Sequence, residues 1–102
     1  MKLIQAMALP NADVRWKSDL PAKERELRGK GTTWRRVKIR RWRHKNYAGW
    51  VVWDEPVNGL LVAKVQSRNE DVEWQILNAF IGYLNRHFGE DIDSISISFR
   101  DS

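Results

Sequence analysis

The sequence predicts an α+β fold in which one long helix packs on one face of a mostly antiparallel, five-stranded sheet. Three observations support this class. Apolar residues recur at helical spacing over residues 68–88, three strand-like runs joined by short turns precede this segment, and a strictly alternating strand follows it. The chain has 102 residues, of which 42% are hydrophobic, so we expect a single domain over residues 1–102.

The first strand is expected at residues 2–9, and residues 10–31 form the least regular segment. Apolar residues are sparse there, and prolines and glycines interrupt it. Within it, residues 21–29 fit a short helix, because Pro21 suits a first helical position and Gly29 suits the residue after a helix end. The predicted chain order is therefore strand, short helix, three strands, long helix, strand.

Three strands are expected at residues 33–43, 48–54 and 60–66. The dipeptide Asn58-Gly59, between the second and the third, is typical of a tight hairpin turn. Connections of this length join antiparallel neighbours, so the three strands are predicted to form a meander.

The long helix is expected at residues 68–88. Ser67 and Glu70 have the spacing of a capping box, which predicts Ser67 as the N-cap, and Gly89 suits the helix end. The apolar stripe includes Ile76, Phe80 and Tyr83 and should face the sheet. In the last strand, residues 93–100, isoleucines and Phe99 alternate with serines and Arg100, which indicates one face on the core and one in solvent.

The charge is unevenly distributed. The net charge is +5, and the 27 residues between Glu26 and Asp54 contain nine of the eighteen Lys and Arg residues and no acidic residue. The other nine basic residues face all thirteen acidic ones, so the rest of the chain is net negative. This asymmetry is typical of a surface that binds a polyanion, and a solvated strand would also produce it.

Alternation along the predicted strand 33–43 divides this basic run into two faces. Val37 and Ile39 are its only aliphatic pair, so their face is predicted to lie on the core. The other face should carry three cations between two tryptophans, namely Trp34, Arg36, Lys38, Arg40 and Trp42. Such a row can follow a phosphate backbone and stack on unpaired bases, and Arg43, Lys45 and Trp50 would extend it.

Two other interpretations of these residues remain open. Charges on an edge strand also prevent edge-to-edge pairing of sheets. Six tryptophans and many arginines also suit a protein-interaction module, such as an adaptor, an inhibitor or a homodimer, with Trp74 and Ile81 on the back of the long helix. The expected partner is nucleic acid, single strands being slightly favoured by the interleaved aromatics, or alternatively an acidic protein.

The sequence predicts a small binding protein without enzyme activity, cofactor or metal. Asp54, Glu55 and Lys64 partly match a metal-dependent nuclease site, but Val62 stands where a further acid is needed. No apolar run is long enough for a membrane span, and no membrane partner is expected. The chain contains no cysteine, which suits a reducing compartment, so we expect a cytoplasmic location.

Overall fold

The computed structural model describes residues 1–99 and confirms the α+β class. A single antiparallel sheet has the strand order β2-β3-β4-β5-β1-β6. The elements are β1 (Lys2–Ala8), α1 (Trp16–Leu27), β2 (Trp34–Lys38), β3 (Arg41–His44), β4 (Trp50–Val57), β5 (Leu60–Gln66), α2 (Glu70–Phe88), a 3₁₀ turn (Gly89–Asp91) and β6 (Ile92–Phe99). The sheet has six strands instead of five because the predicted strand 33–43 is two strands.

The core lies between one face of the sheet and the two helices. Cross-strand partners share a face, and Ile4 of β1 pairs with Ala63 of β5 and Ile97 of β6 on the helix side. The stripe predicted for α2 is buried against them, with Ile76 and Phe80 fully inaccessible to solvent. The last strand is present as β6, and Ile95 is partly buried as predicted. Ile97 and Phe99 are 37% and 64% exposed because β6 is an edge strand, so their predicted place in the core is wrong, and Arg100 lies outside the described residues.

The start of α2 differs from the prediction. Asn69 is the N-cap, and its side-chain oxygen accepts a hydrogen bond of 3.2 Å from the Val72 amide. Ser67 has a different task, because its hydroxyl donates to the carbonyl of Ala48 in the β3–β4 connection at 2.7 Å. The prediction of Ser67 as the N-cap is therefore wrong by two residues.

Helix α1 begins at Trp16, five residues before the predicted start, and therefore contains Pro21 in its interior. The Asp19 carboxylate accepts a hydrogen bond of 2.7 Å from the Arg15 amide at the first turn. The buried indole of Trp16 donates to the Gly59 carbonyl at 2.9 Å. These contacts fix the early start, although an interior proline removes one backbone hydrogen bond.

A buried ion pair joins β1 to α2. The Lys2 ammonium lies 2.9 Å from the Glu73 carboxylate, and both side chains are almost fully buried. Burial raises the pKa of Glu73, but the hydrogen bonds from the Lys2 ammonium and the Ser67 amide outweigh it, so this pKa lies below its ordinary value. The carboxylate therefore stabilises the fold in its charged form.

We predict that this pair makes stability depend on acid pH. Because the folded-state pKa of Glu73 is lowered, its contribution is present above the unfolded value of about 4.3 and is lost as the pH falls through the folded value. Urea unfolding between about pH 6 and pH 3 should show a smaller loss of stability for Glu73→Gln than for the wild type. Equal losses in the two proteins would contradict this role.

Candidate nucleic-acid interface

The basic run folds as a hairpin instead of one long strand. β2 and β3 are antiparallel neighbours, and Ile39 and Arg40 form the turn between them. The side chains of Val37 and Ile39 are 49% and 72% exposed, so their predicted place on the core is wrong. Trp34 and Trp42, predicted to face solvent, are buried instead.

The two tryptophans anchor the hairpin under α2. The ring centroid of Trp34 lies 5.6 Å from that of Phe80, and the centroid of Trp42 lies 5.6 Å from that of Tyr83, both in edge-to-face geometry. Trp42 also packs edge-on against Trp53 of β4 at 6.2 Å. An indole buries more apolar area than an aliphatic side chain, so the tryptophans decide which face of the hairpin meets the core.

The hairpin presents cations on the sheet face opposite the helices. Arg35 is paired with Arg43, and a register shift at Val37 places Lys38 opposite Arg41. Arg41 is paired in turn with Val52, on the face away from the helices, because its neighbour Trp42 is buried. We call the four residues Arg35, Lys38, Arg41 and Arg43 the cationic face.

In an uninterrupted strand, alternation would place Arg35 and Arg41 on the same face as Val37 and Ile39, which was predicted to be the core face. These two arginines are therefore absent from the binding residues predicted from the sequence. The turn and the register shift change which residues share a face. Among residues 1–99, no carboxylate lies within 4.0 Å of any cation of this face. Like charges on directly opposed residues repel, so the two pairs destabilise the hairpin.

Trp50 extends the cationic face onto β4. Its side chain is 36% exposed, and its ring nitrogen donates to the Gln66 side chain at 3.2 Å. The guanidinium carbon of Arg41 lies 5.3 Å from the centroid of the Trp50 ring, a cation–π contact. On the neighbouring strand β5, Lys64 is exposed on the same face of the sheet, because it is paired with Val52.

The remaining predicted binding residues have different surroundings. Arg36 and Lys45 are exposed, and within the described chain neither has a carboxylate within 4.0 Å. Arg40, in the turn, donates to the Asp54 carboxylate at 2.7 Å. This ion pair reduces the charge that Arg40 can offer to a ligand.

The tryptophan predicted for protein interaction lies at the opposite edge of the sheet. Trp74 is 39% exposed, and its ring packs 5.3 Å from that of the exposed Phe99 on the edge strand β6. The Lys2 ammonium lies 5.1 Å from the Trp74 ring. Ile81 is only half exposed and packs against the core, so it adds little to an exposed patch.

Comparison with protein-family models, with curated protein sequences and with solved structures finds no match to this chain. In residues 1–99, no helix combines the length and apolar character needed to cross a membrane. The same residues contain no cluster of three or more His, Asp or Glu side chains arranged to hold a metal ion.

We predict that neutralising one like-charged pair stabilises the fold. Arg35→Gln with Arg43→Gln removes the repulsion across the hairpin, and the free energy of unfolding should rise by a few tenths of a kcal/mol at low salt. The gain should shrink at high salt, because salt screens exposed charges. Urea unfolding at two salt concentrations measures both effects.

The matched control is Arg25→Gln with Arg86→Gln, which changes the net charge equally in the last turns of the two helices. Cations in the last turn of a helix interact favourably with the helix dipole, so the free energy of unfolding of the control should be unchanged or slightly lower. A loss of stability in the hairpin variant, equal to that of the control, would contradict the repulsion.

Proposed function

We propose that this protein is a small non-enzymatic nucleic-acid-binding protein that contacts the phosphate backbone through the cationic face. The observation that carries the proposal is the pair of like-charged cross-strand contacts, Arg35 with Arg43 and Lys38 with Arg41, which no carboxylate among the described residues relieves. Their repulsion is a cost to folding that a bound phosphate chain would remove. Conflicts of this kind are typical of functional surfaces.

We further propose that the ligand is single-stranded. Trp50 is exposed beside the cations, and Arg41 lies over its ring, so an unpaired base could stack on either group. Stacking on an aromatic ring contributes about 1–3 kcal/mol per base and requires a base that is not already stacked in a duplex.

We also propose that the protein acts in the cytoplasm. The chain contains no cysteine, which suits a reducing compartment.

The test compares labelled single strands of about 12 nucleotides with the matching duplexes at two salt concentrations. Wild-type affinity should fall steeply with salt. Arg35→Gln with Arg43→Gln should weaken binding and reduce the slope of log affinity against log salt by about 1.4, since each of the two phosphate contacts contributes about 0.7. The helix variant Arg25→Gln with Arg86→Gln should bind like the wild type.

Stability is measured on the same variants. If the hairpin variant binds more weakly and is at least as stable as the wild type, its loss of affinity comes from lost contacts with the ligand and not from unfolding. An unchanged salt slope in the hairpin variant, or an equal loss in the helix variant, would contradict the proposal.

We predict that Trp50→Leu lowers single-strand affinity roughly tenfold and leaves duplex affinity nearly unchanged. The physical reason is the loss of a stacking surface without a change of charge. Trp74→Leu, at the other exposed tryptophan, is the control and should bind normally. If both variants bind single strands like the wild type, stacking on Trp50 is refuted.

A second candidate function is association with a second copy of this chain through β6. This strand is an edge of the sheet, and in the described part of it Asp93 is the one charged residue. An antiparallel pair of two β6 strands would place serine opposite serine and isoleucine opposite isoleucine, and the exposed Phe99 at the end of β6 packs on the exposed Trp74. A wild type that runs as a monomer in solution at all concentrations would exclude this candidate.

A further inference from the structure

We infer that a bound single strand continues from the cationic face into a groove at the end of the hairpin away from its turn. This inference rests on the proposed function. The groove has a volume of about 1100 Å³ and lies between residues 28–33, which lead into β2, and residues 43–48, which leave β3. The Lys45 amide donates to the Thr33 carbonyl at 2.6 Å and ties the two segments together. We call this feature the end groove.

The end groove is cationic along its length. Its basic lining residues are Arg28, Arg35, Arg36, Arg43 and Lys45, and none of the described residues that line it is acidic. Arg28 is held by Glu24, which takes two hydrogen bonds from its guanidinium. The other four have no carboxylate within 4.0 Å in residues 1–99. Because Arg35 and Arg43 also belong to the cationic face, the two surfaces are continuous.

The segment before β2 adds exposed backbone donors to this charge. Gly29 and Gly31 have φ values of +85° and +82°, a conformation that favours glycine, and both residues are exposed. Within the described chain their amides make no hydrogen bond. Backbone amides beside arginine and lysine side chains are a common way to hold phosphate oxygens.

Three aromatic residues also line the end groove, and we call Trp34, His44 and Tyr47 its aromatic wall. The rings of His44 and Tyr47 lie 4.7 Å apart and are inclined by 34°, and Trp34 meets His44 edge-on at 5.0 Å. Burial lowers the pKa of His44, so its ring is uncharged near neutral pH and behaves as an aromatic surface. Tyr47 is half-buried, and its hydroxyl contacts the Gln75 side chain at 3.3 Å.

A single strand matches both the cations and the aromatic wall of the end groove. Its phosphates would lie against the four unpaired cations and the glycine amides, and an unpaired base would stack on Tyr47 and His44. An acidic peptide would satisfy the cations but would leave the aromatic wall unused. A duplex keeps its bases stacked on one another, so it could not use that wall either.

The test uses two variants with equal changes in charge, studied with the same single strand of about 12 nucleotides. Arg36→Gln with Lys45→Gln changes the end groove alone, and Lys38→Gln with Arg41→Gln changes the cationic face alone. We expect each variant to lower the affinity at least about fivefold and to reduce the salt slope by about 1.4. A poly-glutamate peptide serves as the non-nucleic-acid polyanion.

The outcomes separate the two proposals. If the wild type binds no oligonucleotide, the proposed function fails. If the face variant binds weakly and the groove variant binds like the wild type, the function stands and the end groove is refuted. Poly-glutamate bound as tightly as the oligonucleotide would also overturn the inference.

Tyr47 tests the aromatic wall separately from charge. Tyr47→Leu should lower single-strand affinity about tenfold, whereas Tyr47→Phe should retain it, because the ring and not the hydroxyl contacts the base. Thermal unfolding of both variants verifies that the fold persists. Normal binding by a folded Tyr47→Leu variant would refute stacking in the end groove.

Discussion

The burial of Trp34 and Trp42 beneath α2 is the constraint on which the rest of the surface depends. Their rings pack edge-on against Phe80 and Tyr83. This packing determines which face of the β2–β3 hairpin points toward α2. Once that orientation is set, Arg35 and Arg43 must lie on the opposite face. The aromatic packing therefore supplies the free energy that holds like charges together, as a hydrophobic anchor can offset repulsion of a few tenths of a kcal/mol.

The tryptophans divide into two groups with different tasks. Trp16, Trp34, Trp42 and Trp53 are buried and build the core, whereas Trp50 and Trp74 remain partly exposed at opposite sides of the sheet. Arg41 lies over the Trp50 ring, and Lys2 lies near the ring of Trp74. The abundance of tryptophan in so small a domain is thus explained largely by packing, because four of the six side chains are buried.

The sequence was sufficient for the elements with an unambiguous period. The apolar stripe of α2 is buried as its spacing predicts. The alternation of β6 predicts the strand itself, but Ile97 and Phe99 stay exposed because the strand lies at the edge of the sheet. The hairpin could not be predicted in the same way, because the turn at Ile39 and the register shift at Val37 reverse the alternation within a few residues. The local sequence contains no signal for this turn or this register shift, because the orientation of the hairpin depends on contacts with distant residues in α2.

Helix α1 and the end groove illustrate the same limit. The start of α1 depends on the contact of Trp16 with Gly59, 43 residues away, which overrides the local signal of Pro21. The groove arises where residues 28–33 meet residues 43–48, and a basic run read as one strand does not reveal it. The sequence shows that the run is basic, and tertiary contacts determine which of its side chains share a surface.

The two edges of the sheet differ in a way that limits how copies of this chain could assemble. The edge strand β2 is densely cationic, while the described part of β6 has Asp93 as its one charge. Joining two copies through β6 would use the β6 edge of each copy and leave only β2 edges at the ends, where repulsion between cations opposes further addition. Growth would therefore stop at a closed pair instead of continuing into a filament.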